Sequence, residues 1–131
     1  MVTRNPRIYT DINLSFGSHP ATADVVQVTN EDAVKASIRN LISTKNYERP
    51  FHPEIGCQIH SLLFENFTPV TLEMAKRMVA EVLDAYEPRA NILDIIVADS
   101  EDNNELRITV VFTLLNTSNP VTVTTILSRA R

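Results

Sequence analysis

The apolar positions change period partway along the chain. Before Arg89 they recur every three to four residues, and after it they alternate with polar ones. Val34, Ile38, Leu41 and Ile42 fall at i, i+4, i+7 and i+8, which is one helical face. A helix is therefore expected from Asn30 to Thr44, opened by the capping-box-like pair Thr29 and Asp32, with Asp standing in for Glu. Leu72, Ala75, Val79, Val82, Leu83 and Tyr86 form a second, longer stripe. Thr68 with Pro69, or Thr71, caps that helix, because proline is tolerated at the first helical position. Between the two helices, KNYERPFHPEIGC carries Pro50, Pro53 and Gly56, a density of breakers that leaves only a structured loop. A short helix from Cys57 to Glu65, with Ile59, Leu62 and Leu63 inward, is expected next.

After Arg89, NILDIIVAD, ELRITVVFTLL and VTVTTIL read as three strands rich in β-branched residues. SEDNN (100–104) and NTSNP (116–120) supply turns, so antiparallel hairpins are the simplest connection. In the middle strand Leu106, Ile108, Val110, Phe112 and Leu114 share one face. Ahead of the helices, Arg7 to Phe16 alternates briefly like a strand, and GSHPATAD (17–24) reads as loop. The expected class is α+β: an N-terminal strand or arm, then three helices packed on a C-terminal three-stranded antiparallel meander. Residues 1–131 are read as one domain, with an arm over 1–28, a helical part over 29–89 and a sheet over 90–131.

Composition narrows the function classes. A chain of 131 residues, 44% hydrophobic and 21% charged, is long enough to bury a core and is globular in character. A net charge of −4 argues against general nucleic-acid binding, which needs a basic face. Cys57, the single cysteine, cannot form an internal disulfide and fits a reducing compartment or indifference to redox. MVTRNPRIYT lacks the apolar run of a signal peptide, and no stretch is long enough to span a membrane, so neither membrane nor secretion is expected.

A search for reactive chemistry yields little. Cys57 and His60 share a helical face at i, i+3, with His52 nearby, but a structural zinc site needs four ligands and no second cluster exists. Cys57 is read as a small buried hydrophobe, and its pairing with His52 as a nucleophile as coincidence. Carboxylate pairs such as Glu54 with Glu65, or Asp84 with Glu87, are too numerous among sixteen acids to mean glycosidase chemistry. Two glycines, Gly17 and Gly56, preclude a glycine-rich phosphate loop. Asp99, Glu101, Asp102 and Glu105 lack a calcium-loop pattern and read as a solvated hairpin tip; Arg129 and Arg131 read as a frayed tail. No catalytic residue, metal or cofactor is expected.

Two features remain. The long helix ends in Tyr86-Glu87-Pro88-Arg89, where Pro88 stops it. Arg89 suits a helix C-terminus but Glu87 does not, since the macrodipole disfavours an anion there. Either Glu87 and Arg89 form a local pair that tidies the helix end, or they serve a partner. The last strand, from Val121 through Thr122, Val123, Thr124, Thr125 and Ile126 to Leu127, contains no charge, glycine or internal proline. As an edge it is unprotected, so either the arm or a helix covers it or another protein pairs with it.

Taken together, RPFHPEIGC (49–57), LFENFTP (63–69) and YEPR (86–89) resemble the gene-twenty-five-type baseplate wedge family of contractile-tailed bacteriophages, of which the type VI secretion baseplate component is a relative. The resemblance runs from YTDI (9–12) to the final strand. It implies a structural subunit, not an enzyme, located in the virion tail baseplate. Glu87, Pro88 and Arg89 are then expected to engage the core helical bundle of neighbouring wedge proteins. The strands Glu105–Leu115 and Val121–Leu127 are expected to pair with a tail sheath subunit and initiate sheath polymerisation. The tail tube or hub is a further expected neighbour, and six copies per baseplate follow from the wedge arrangement. In the two loop motifs, Phe51 and Ile55 are expected to anchor the loop, Arg49 to pair with Glu54, and Leu63, Phe64 and Phe67 to pack between helices. The alternatives are a peptidoglycan-degrading muramidase of the tail and a regulatory adaptor built on the same fold.

Overall fold

The computed structural model describes residues 8–100 and 105–129. Strands β1 (Thr10–Ile12) and β2 (Gln27–Thr29) pair antiparallel as a small two-stranded ribbon. They are followed by helices α1 (Asn30–Ser43), α2 (Ile59–Leu62) and α3 (Pro69–Tyr86). Strands β3 (Ala90–Ser100), β4 (Glu105–Leu114) and β5 (Pro120–Ser128) then form an antiparallel meander in the order β3-β4-β5. This is the α+β arrangement expected from the change of period. The hairpin tip with Glu101 and Asp102, as well as Arg7 and Arg131, lies outside the described residues.

The core lies between the helices and one face of the sheet. Leu106, Ile108, Val110, Phe112 and Leu114 of β4 are all buried, as their alternation requires. Val34, Ile38, Leu41 and Ile42 of α1 and Ala75, Val79 and Leu83 of α3 close over them in one cluster. Helix α3 packs along β3 and α1 along β5. A bulge falls between Ile92 and Asp94, so Ile92 and Ile95 both keep their cross-strand partners, Phe112 and Val110, on the inner face. Ile59, Leu62 and Leu63 are buried as expected, although the regular helix there covers only four residues.

The two long helices begin differently. At α3 the Thr68 hydroxyl accepts from the Thr71 amide at 3.2 Å, and Pro69 occupies the first turn. At α1 the expected Thr29–Asp32 box does not form, since Thr29 makes no side-chain cap bond. Asn30 starts the helix instead, with φ of 47°. Its side-chain oxygen accepts from the Tyr9 amide at 3.1 Å, and its own amide donates to the Tyr9 carbonyl at 2.7 Å. Asparagine tolerates the left-handed conformation better than other residues with a Cβ, so this position ties the arm to the helix. Strand β2, absent from the expectations, exists because β1 supplies its partner.

The loop 44–58 is held by a parallel bridge between Lys45 and Cys57. Gly56 makes that approach possible: a Cβ there would lie 2.7 Å from the Lys45 carbonyl carbon and oxygen. The loop's other anchors differ from expectation. Ile55 packs against the core, but Phe51 is 90% exposed and anchors nothing. Glu54 pairs with His52 at 3.2 Å instead of Arg49. Leu63 and Phe67 pack inward, whereas Phe64 is exposed, with the Arg129 guanidinium 5.2 Å from its ring centre.

Candidate functional site: the Glu-Pro-Arg corner and the open strand

Helix α3 ends because Pro88 has no amide to continue the ladder, and Glu87 leaves helical geometry with φ −125° and ψ 69°. The Ala90 amide then donates to the Glu87 carbonyl at 3.3 Å, so residues 87–90 form a turn with proline at its second position. The turn folds Arg89 back onto Glu87. Arg89 Nε donates to Oε1 of Glu87 at 2.6 Å and Nη2 donates to Oε2 at 2.9 Å, a two-pronged grip. The Glu87 side chain is 1% exposed and that of Arg89 24%. A charged helix terminus that looks unfavourable in sequence is thus compensated locally.

The third prong comes from the arm. Nη1 of Arg89 donates to Oδ2 of Asp11 at 3.1 Å, and the Tyr9 ring centre lies 5.9 Å from the guanidinium carbon. The Glu87 carboxylate, with Asp11 adding to it, holds the guanidinium more firmly protonated than an ordinary arginine. Pro88 stays exposed at the apex of the turn. Tyr9 and Asp11 stand out in the sequence only within YTDI, because 78 positions separate Asp11 from Arg89 and no local period links them. Tyr86, one residue before the corner, donates through its hydroxyl to the Glu54 carbonyl at 3.1 Å, fastening the loop to the end of α3.

The second candidate region is β5. Val121, Val123 and Leu127 face the helices and are buried, so they serve the core. Thr122, Thr124 and Ile126 are exposed on the opposite face, with Thr124 within 3.3 Å of Thr109 across the ladder. Thr125 sits on the inner side with its hydroxyl buried and unpartnered. Among the described residues β5 pairs only with β4, and the arm ribbon pairs within itself. The outer hydrogen-bonding side of β5 therefore has no strand partner. Corner and edge share one end of the sheet, since Ala90 faces Leu114 and Thr113 faces Pro120. Two strand spacings, about 10 Å, keep them apart.

Other candidates reduce to structure. Cys57 is buried, and burial pushes its thiol above the usual range. The exposed Glu54 carboxylate is held below its ordinary value, chiefly by a backbone hydrogen bond and further by His52.

Comparison with known proteins agrees with this architecture. The family described as "Baseplate wedge protein gp25" matches residues 28–119. Baseplate wedge protein gp25 of Enterobacteria phage T4 is 29% identical over 115 residues, covering 88% of this chain and 86% of its own. A candidate tail lysozyme from Geobacter sulfurreducens superposes with a TM-score of 0.70 at 25% identity, covering 77% of this chain and 92% of that one. A chain of the anti-feeding prophage baseplate superposes at 0.65 and 23% identity, covering 91% and 84%, a likeness of fold alone. With the family match spanning all three helices, the Glu-Pro-Arg turn and the sheet up to the last hairpin, the chain belongs to the baseplate wedge protein gp25 family of contractile tails.

Proposed function

We propose that the chain acts as a non-enzymatic assembly subunit of the wedge. In this reading the corner at Glu87, Pro88 and Arg89 docks on the core helical bundle of neighbouring wedge proteins. The open edge of β5, from Val121 to Leu127, pairs with a tail sheath subunit and starts its polymerisation; the tube or hub lies nearby, and six copies complete a baseplate. The observation that carries the reading is that edge: an uncharged last strand with no strand partner on its outer side among the described residues. The corner supports it in a modified form. Glu87 is committed to Arg89, so Glu87 acts as the internal brace, while Arg89 and the exposed Pro88 are the parts a partner can reach.

The muramidase reading loses support from the same geometry. A glycosidase general acid needs a carboxyl that keeps its proton. Glu54 is shifted the opposite way, and Glu87 is gripped by a guanidinium.

The test is assembly of co-expressed wedge and sheath. Thr122→Lys with Thr124→Lys places two charges on the edge strand without entering the core. The variant is expected to fold and join the wedge but to leave baseplates without sheath; sheath at wild-type yield would remove the edge role. Arg89→Lys keeps the charge and loses the fork, and wedge incorporation is expected to fall about tenfold. Peptidoglycan release by the purified chain, abolished by one carboxylate change, would reverse the non-enzymatic assignment.

A further inference from the structure

The two edges of the meander are built differently. β5 carries no charge between Val121 and Leu127, whereas β3 carries Asp94 and Asp99. Asp94 pairs with Val111, which alternates with the buried Val110 and Phe112, so its carboxylate belongs to the outer face of the sheet. Lys76 belongs to α3, which packs on the inner face. Its Nζ nonetheless lies 3.5 Å from Oδ1 of Asp94. Since β4 fills the other flank of β3, that ion pair can pass only around the free side of the strand. There it spans a groove of about 360 Å³ between helix and strand. The same oxygen accepts from the Ile95 amide at 2.8 Å, which pins the carboxylate to the strand's own backbone. The bulge falls at the same place and leaves Leu93 without a cross-strand partner.

We infer that β3 is a closed edge, barred to a second copy of this chain, or to any other added strand, by the Lys76–Asp94 clasp and the bulge. An incoming strand would have to displace a hydrated cation and carboxylate and then meet a broken ladder, and both features keep edges from pairing. The ion pair itself adds little to stability, because its side chains are 43% and 55% exposed. Its position across the free side is what gives it an effect. The inference deepens the strand-pairing reading and rests on it for its use: with β3 shut, the sheet takes a single strand, on β5, and growth from it has one direction.

Two measurements test this. In the first, Thr122→Lys with Thr124→Lys closes β5, and Lys76→Gln with Asp94→Thr is then added to open β3. Sedimentation of the purified chains is expected to show the opened variant self-associating about tenfold more tightly than its parent, with amide exchange slowed at 93–97. A folded variant that associates no more than its parent would overturn the closure and leave the β5 reading intact. The second uses the wild-type chain in baseplates assembled from co-expressed wedge and sheath, and so decides the matter even where the variant fails to fold. Relative to the free chain, exchange is expected to slow about tenfold at 121–127 and to stay unchanged at 93–97. Protection at 93–97 equal to that at 121–127 would overturn the closed edge. Protection at neither segment would remove the β5 reading while upholding the closure of β3.

Discussion

Arg89 holds both carboxylate oxygens of Glu87 across a single proline, at 2.6 and 2.9 Å. The pair is lopsided: the acid is buried and the base reaches the surface. Removing either member therefore has unequal consequences. Arg89→Ala leaves a buried carboxylate with no cation and is expected to cost about 3–5 kcal/mol. Glu87→Ala lets the guanidinium swing into water and keep Asp11, and is expected to cost about 1–3 kcal/mol. Urea unfolding of the two variants measures the difference, and equal losses would contradict the asymmetry.

The Asp11 contact is weaker, because that side chain is 41% exposed. Asp11→Asn is expected to change global stability by less than about 1 kcal/mol. Its effect belongs to the arm, where amide exchange around residues 10–12 is expected to speed up while the β4 core stays protected.

Gly56→Ala tests the loop closure. The new Cβ would lie 2.7 Å from the Lys45 carbonyl at a φ of +153°, so the bridge to Cys57 has to open. A loss of about 2–4 kcal/mol is expected, comparable to a damaged core. The same alanine placed at Gly17, where the nearest atom is 3.8 Å away, is expected to be nearly silent.

Phe51 and Phe112 are both phenylalanines with opposite fates. Phe112 is fully buried, and Phe112→Ala is expected to cost about 3–5 kcal/mol. Phe51→Ser, at a side chain 90% exposed, is expected to stay within about 0.5 kcal/mol. Thermal melts of the pair distinguish a packing residue from a surface one.

The Cys57 thiol is raised by burial, which sets a sign. Its contribution to stability is complete below the unfolded thiol value and falls away as pH rises through the folded one. Native protein is expected to resist thiol reagents at neutral pH and react only at the rate of unfolding. Rapid labelling of folded chain would show the site to be open.

Much of the architecture is visible in the linear pattern, because helical stripes and strand alternation are local periodicities enforced by one shared core. The α3 cap at Thr68, the β4 inner face and the meander order all follow from neighbours a few positions apart. The breakers Pro50, Pro53 and Gly56 likewise announce a loop. What that loop does with its aromatic and charged residues is another matter. Phe51 points to solvent and Glu54 chooses His52, outcomes decided by how 44–58 closes on Lys45 and not by residue type.

The corner divides along the same line. Its proline turn and the conflict of an acid at a helix C-terminus are properties of four consecutive residues, and the chain by itself determines them. That Arg89 resolves the conflict while gripping an arm residue 78 positions away was decided only by tertiary structure. So was the start of α1, where Asn30 binds Tyr9 in place of a capping box. Local backbone preferences act within a turn or two, whereas ion pairs and cross-chain hydrogen bonds form between whatever groups packing brings within about 3 Å.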